Sequence, residues 1–386
     1  MSAPDVVIVG AGVVGASCAY HLARAGLRCV VLDRARGPGE GSTGRATGGF
    51  RAQYATEINV RLSLRSREAL RSFRDDTGVD PGFAPVGYLF LADRADQLDE
   101  LRAANRMQRR LGLDEARVID RDAIAAINPH VALDGVVGAS WCPSDGVMRP
   151  LEILRGYLEA AQRAGAQLRW DQDVGGLERD RDGRITHVQT RAGSIAASHV
   201  VNAGGAWAAA IARKAGVDLP VAPLRRQVAI TAPTRALPAT FPMTIWLGDG
   251  FHLRVRDDRV LLLRPTPGAP DDPWSDRVEP RWLDELAATT AARVPPLREV
   301  AIDRERAWAG LYEMSPDHHA ILGPAPGCPN LILANGSSGH GVMHAPALGA
   351  LVAEIIAHGA ARSLDVRALR PSRFAEGEPI VGSSLL

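Results

Sequence analysis

Only one lysine, Lys214, occurs in the 386 residues, so nearly all of the positive charge is arginine. Chemistry that needs a fixed cation must therefore draw on arginine or a protonated histidine. Cysteine is also scarce. Cys18, Cys29, Cys142 and Cys328 show no CxxC spacing, which argues against a disulfide framework and for buried free thiols in a reducing cytoplasm. The 45 basic and 44 acidic residues leave a net charge of +1 with no long block of one sign, so nothing points to nucleic acid or an anionic membrane. No uninterrupted apolar run is long enough to span a bilayer. The apolar N-terminus has neither a basic flank nor a cleavage site and is read as a first strand instead of a signal segment. These absences leave an enzyme of small molecules as the better class. The length suggests one large domain or two interleaved ones.

The most informative stretch is 6–34, VVIVGAGVVGASCAYHLARAGLRCVVLDR. An apolar run breaks into a glycine turn, continues with helical spacing, turns at Gly26 and ends a second apolar run at Asp33. This is a β-α-β unit carrying GxGxxG. Gly10 permits the tight turn, Gly12 lets a pyrophosphate approach the backbone, and Gly15 lets helix and strand pack closely. The helix N-terminus offers free N–H groups to phosphates, and Asp33 stands where a carboxylate accepts ribose hydroxyls. A bare GxGxxG is weak, but strand, helix and acidic residue all flank this one. The unit itself leaves NAD and FAD open.

Further along, the small-residue loop 37–49 (GPGEGSTGRATGG) could lie under a flat ligand. Residues 57–76 read as an amphipathic helix. From 83 to 141 the texture changes to a strand at 87–92, a helix at 96–111 and a short helix at 122–127. A helix at 151–164, opened by Pro150, returns the chain to strands at 167–170, 175–179, 185–191 and 195–202. Strands at 228–231, 250–256 and 259–264 follow, with Asp257-Asp258 as a hairpin turn, then a loop at 265–273 and a helix at 280–294. A strand at 331–334 and a helix at 346–357 precede a polar surface tail.

Four separated pieces then converge: the N-terminal unit, 200–207 (VVNAGGAW), 310–323 (GLYEMSPDHHAILG) and 335–349 (NGSSGHGVMHAPALG). With them the sequence resembles the D-amino-acid-oxidase-like family of FAD-dependent amine and amino-acid oxidoreductases, which includes sarcosine and glycine oxidases and dye-linked proline dehydrogenases. The resemblance implies an α/β fold in which a Rossmann-like FAD-binding domain (1–80, 146–207 and 308–362) is interleaved with a substrate domain built on an antiparallel sheet with helices (81–145 and 208–307), followed by a tail at 363–386. It implies FAD contacts from Gly10, Gly12, Val13, Val14, Gly15, Asp33 and Arg34 at the adenosine and pyrophosphate end, with Val174, Ala203, Gly204 and Trp207 nearby. Ser42, Thr43, Arg45, Ala46, Gly48 and Gly49 would run along the pyrophosphate and isoalloxazine. Gly310, Gly336, Ser338, Gly339, His340, Gly341, Val342 and Met343 would close around the flavin, where backbone donors stabilise its reduced form.

Departures from the family pattern sharpen the expectation. Gly310 stands where some members attach FAD through cysteine, so the cofactor is expected to be non-covalent. Tyr312 replaces one carboxylate-binding arginine and Met343 replaces a lysine, whereas Arg51 in Phe50-Arg51-Ala52-Gln53-Tyr54 matches the sarcosine-oxidase arginine. Arg51, Tyr54, Tyr312, His340 and His252 are the substrate-side candidates, against bland alternatives of an internal ion pair for Arg51 and core packing for Tyr312. His340 and His344 have the i, i+4 spacing of a zinc pair but no evident third ligand, and no metal is expected. Asp317, His318 and His319 read as structural or solvated. The resemblance implies oxidation of a C–N bond in a small amino acid or secondary amine by hydride transfer to flavin, with an oxygen-using oxidase or tailoring enzyme on a larger amine, or a flavin-binding subunit of an electron-transfer complex, as the alternatives. The sarcosine-oxidase lysine that assists oxygen has no counterpart in 260–264, so a quinone, dye or flavoprotein acceptor is expected, unless Arg264 or a protonated His252 supplies the charge.

Overall fold

The computed structural model describes residues 3–266 and 272–382. Val6–Val9 is the centre of a six-stranded sheet ordered Ile321–Ala325, Cys328–Asn335, His199–Asn202, Val6–Val9, Cys29–Leu32 and Gln167–Arg169. All pairings are parallel except that of Ile321–Ala325 with Cys328–Asn335. A strand covered on both faces has no polar side, which is why VVIV and CVVL are continuously apolar. Val6 and Ile8 point into one core, with the helices Val13–Arg24, Glu57–Thr77, Pro150–Arg163 and Gly341–His358. Val7 and Val9 point into the other, under the three-stranded sheet of Val174–Arg179, Ile185–Thr190 and Gly193–Ala196 and the short helix Ala208–Arg213.

Gly341–His358 is long and apolar enough by composition to cross a membrane, but most of it is buried inside the protein. It packs closely on Val13–Arg24: a Cβ at Gly349 would sit 2.2 Å from Ser17 Oγ.

A second sheet of eight strands runs Trp308–Met314, Ala222–Ile230, Arg259–Leu263, His252–Arg256, Met243–Trp246, Tyr88–Ala92, Gly138–Cys142 and Arg117–Ile119. It is antiparallel except at one joint, where Met243–Trp246 lies parallel to Tyr88–Ala92. At that joint the two separate chain segments of this layer meet. The expected hairpin is present: Arg256 faces Arg259 across Asp257-Asp258, with Asp257 at φ +58°.

Several expectations are corrected. Trp308–Met314, grouped in sequence with the nucleotide-binding residues, pairs with Ala222–Ile230 in the large sheet. The single strand expected at 195–202 is two, Gly193–Ala196 and His199–Asn202, in different sheets. The last long helix begins at Gly341 instead of Pro346, so Pro346 lies inside it and leaves Val342 O without its i→i−4 donor. The tail is more than a surface strap. Leu369 and Arg373 are fully buried, and Arg373 is ion-paired to Asp317. Part of the expected loop at 265–273, residues 267–271, lies outside the described residues.

Candidate active site

The two sheets meet along one elongated cavity of about 710 Å3, within the range of small-molecule sites. At one end is the glycine turn. Gly10 has φ +106°, and a Cβ there would lie 2.4 Å from Ala203 O, so only glycine fits. A Cβ at Gly15 would lie 1.9 Å from Gly10 O, which makes Gly15 a packing residue that does not line the cavity. Gly12 caps the helix Val13–Arg24 with no side-chain partner, and Thr43 Oγ1 accepts from Val13 N at 3.1 Å. The helix end thus presents its dipole and remaining N–H groups to the cavity. Asp33 anchors the turn, accepting from Ala11 N at 2.6 Å and Ala35 N at 2.8 Å. A carboxylate that accepts two such bonds has lone pairs left for a ribose. Arg34 lies 3.9 Å over the Trp207 ring, and Val174, Ala203 and Gly204 complete this end.

The middle of the cavity is walled by Ser42–Arg45 and the turn after it. Ser42 Oγ donates to Leu311 O at 2.7 Å, and Trp308 Nε1 donates to Arg45 O at 2.9 Å, tying this wall to the large sheet. Ala46, Gly48 and Gly49 line it. Arg254, which the sequence did not single out, donates from Nη1 to Thr47 O and Gly48 O, both at 2.7 Å, and pins the loop. Gly310 is confined: a Cβ there would lie 2.9 Å from Arg45 Cβ. Across the cavity the helix Gly341–His358 begins, aiming its N-terminus inward, with Ser338, Gly339, His340, Gly341, Val342 and Met343 on the wall. Gly336, expected there, packs instead behind it, against Ser315 and Ile321.

The far end is built by the large sheet. Tyr88, Met243, Ile245, His252, Leu263, Arg226 and Tyr312 line it together with Arg51. Asp145 positions Arg51 from behind, accepting from Ala52 N at 2.8 Å; burial, opposed by these backbone bonds, pushes its carboxyl up to about 6. Arg51 Nη2 lies 3.2 Å from His340 Nε2, and its guanidinium lies 4.2 Å over Tyr54 and 5.3 Å over Phe90. Among the described residues it has no carboxylate partner, so the internal ion pair is not formed. Tyr54 is fully buried behind Arg51, its hydroxyl 3.0 Å from Met343 Sδ, and does not reach the cavity.

The histidines here are neutral. Burial, helped by the nearby Arg51, holds His340 well below the usual imidazole value and brings His344 down to about 3. An arginine can only donate, so His340 Nε2 is the acceptor. His344 Nε2 lies 2.9 Å from Ser63 Oγ, and no cluster that could hold a metal ion occurs among the described residues. Burial likewise brings His252 down to about 4; its Nδ1, 2.8 Å from Gly250 O, must carry the proton, leaving Nε2 as an acceptor. Arg264 pairs with Glu285 at 2.7 Å and does not line the cavity. Neither therefore supplies the free cation that the sequence left open. Besides Arg254, the structure adds two groups that the sequence reading missed. One is Arg226. The other is Glu313, whose carboxyl accepts from Ser337 N at 3.2 Å and is pushed up to about 7 by burial.

These residues fit FAD. The open helix end suits a pyrophosphate, since Gly12 lines the cavity and a Cβ there would meet only Thr43 Oγ1, at 3.5 Å, and would fill space a phosphate can use; the small-residue walls of the middle leave space for a flat ring. When bound, FAD supplies a two-electron acceptor for a substrate hydride.

Comparison with known proteins agrees with the geometry. FAD-dependent oxidoreductase domain-containing protein 1 of Xenopus laevis is 28% identical over 426 residues, covering 99% of this chain and 85% of that protein. Glycine oxidase of Geobacillus kaustophilus (strain HTA426) is 28% identical over 362 residues, covering 91% of this chain and 92% of that protein. The crystal structure of L-proline dehydrogenase from P. horikoshii matches with a TM-score of 0.90 at 29% identity, covering 98% of this chain and all of that one. Residues 5–355 match the DAO family, FAD dependent oxidoreductase, and the chain belongs to that family of amino-acid and amine oxidoreductases.

Proposed function

We propose that this enzyme oxidises the C–N bond of a small amino acid or secondary amine whose carboxylate is held by Arg51. The observation that carries this reading is the Arg51 guanidinium itself: it lines the cavity, is oriented by Tyr54, Phe90 and His340, and has no carboxylate partner among the described residues. A guanidinium fixed in this way is preorganised for a bidentate carboxylate. The substrate amine would bind neutral with its carboxylate on Arg51; bound FAD would supply the acceptor for the α-hydrogen as hydride, while the nitrogen lone pair would form C=N and the nitrogen's proton would pass to solvent. Water then hydrolyses the imine. The neutral His252 offers Nε2 as an acceptor, and His340, whose Nε2 accepts from Arg51, adds no charge, so positioning carries the step.

We read the cofactor as non-covalent. None of the four cysteines lines the cavity, and Gly310 has no room for a side chain beside Arg45. Acid or heat denaturation of the yellow protein is expected to leave FAD in the supernatant, and colour retained in the pellet would overturn this. Four buried free thiols suit a reducing cytoplasm.

The proposed acceptor is a quinone, dye or flavoprotein, supported by the pairing of Arg264 with Glu285 and the neutrality of His252. One experiment tests substrate and acceptor together. Anaerobic mixing of holoenzyme with a panel of amines and amino acids is expected to bleach the flavin with a carboxylate-bearing amine, and the reduced enzyme should reoxidise slowly in air and fast with a quinone. No bleaching by any carboxylate-bearing amine would sink the reaction, and air reoxidation that keeps up with turnover would make the enzyme an oxidase.

A further inference from the structure

The substrate end of the cavity holds a second arginine without a counter-ion. Arg225 and Arg226 are adjacent on the strand Ala222–Ile230, and strand alternation sends them to opposite faces. Arg225 is satisfied: it pairs with Glu279 and donates to Arg277 O at 3.0 Å. Arg226 shares its face with Val228, lines the cavity, and forms no ion pair or hydrogen bond among the described residues. Its guanidinium carbon lies 5.9 Å from the centre of the Tyr312 ring.

Two fixed positive charges therefore stand in one half-enclosed space. Both Arg51 and Arg226 lie close enough to His252 and Tyr312 to act on their ionisation. The nearby carboxyl, Glu313, is engaged by Ser337 N at 3.2 Å and forms no ion pair with either arginine among the described residues. The cofactor's phosphates belong at the opposite end, by Gly12 and Thr43, and so cannot be the missing anion. A buried cation without a counter-charge is unfavourable, and a site that keeps two of them is complementary to a ligand with two anionic groups.

We propose that the substrate is an amino or imino dicarboxylic acid, with one carboxylate on Arg51 and the second on Arg226. This deepens the function proposed above and rests on it.

The test uses holoenzyme and non-oxidisable acids, followed by flavin absorbance and by calorimetry. Malonate, succinate and glutarate are compared with acetate, propionate and butyrate. The best dicarboxylate is expected to bind roughly 10- to 150-fold more tightly than the best monocarboxylate, the range that one charge-assisted hydrogen-bonded pair provides. Arg226→Leu should collapse that ratio to near unity, while Arg226→Lys keeps a large part of it. FAD content and thermal midpoint report whether each variant is folded. Should Arg226→Leu not fold, the wild-type ratio and Arg226→Lys decide the matter. A wild-type ratio near unity, or one that survives Arg226→Leu, overturns the proposal. So does slower air reoxidation in Arg226→Leu with the ratio unchanged, which would assign Arg226 to oxygen. Oxidation of monocarboxylate amines with no dicarboxylate preference sinks this inference alone. Failure of both classes to bleach the flavin sinks the amine-oxidation reading beneath it.

Discussion

Arg51→Lys should lower kcat/KM for a carboxylate-bearing amine by roughly 10- to 150-fold, because lysine keeps the charge but loses the fork, a loss of about 1.5–3 kcal/mol in transition-state binding. The variant also loses the contact at 3.2 Å to His340 Nε2 and the stacking over Tyr54 that fix the orientation. Bound FAD should change little, since Arg51 lies at the substrate end of the cavity. An amine without a carboxylate serves as the control and should show a much smaller effect. Equal losses with both substrates, or none with either, would move the carboxylate site elsewhere.

Arg373→Met should destabilise the fold by about 3–5 kcal/mol, the usual consequence of removing one partner of a buried ion pair. Arg373 and Asp317 are 0% and 2% exposed, joined by two bonds of 2.8 and 2.9 Å. Arg373 also donates to Leu369 O at 2.9 Å and His319 O at 3.2 Å, and Ile380 N donates to Asp317 at 3.0 Å, so the pair clamps the C-terminal segment to the loop after Trp308–Met314. The pH dependence gives a second readout. Burial pushes the Asp317 carboxyl up, but the Arg373 bonds and the Ile380 N–H outweigh it and hold it below its ordinary value. A depressed folded-state value stabilises the protein above the ordinary range near 3.9, and that contribution is lost as pH falls through the lowered value. In Arg373→Met the sign reverses, because a buried carboxylate without its partner is better protonated. The stability gap between wild type and variant, measured by urea unfolding, should therefore narrow as pH falls from the variant's raised carboxyl value, above the ordinary one, through the wild type's lowered value. The double variant Asp317→Leu/Arg373→Met should recover much of the loss. A single variant as stable as wild type would show that the clamp contributes nothing.

Legibility of the chain followed the range of the interactions involved. The β-α-β unit could be read because each of its requirements is local: Gly10 at positive φ, Gly15 against Gly10 O, and Asp33 at the end of the next strand. The hairpin at Asp257-Asp258 was legible for the same reason. The pairing of Trp308–Met314 was not legible, because its hydrogen-bond partner, Ala222–Ile230, is some 80 residues away. The C-terminal segment read as a polar tail because an arginine is ordinarily exposed, and only the distant Asp317 makes its burial possible.

The site divides in the same way. By itself the sequence determined the dinucleotide turn, the family and Arg51 as a candidate, since these rest on residue types at fixed spacing. It could not separate Arg225 from Arg226: strand alternation sends them to opposite faces, but nothing local says which face meets the cavity. The structure decided that by pairing Arg225 with Glu279 and leaving Arg226 open. It likewise set Tyr54 behind Arg51 and made His252 and His340 neutral, because burial and the field of neighbouring arginines arise only when distant segments pack together.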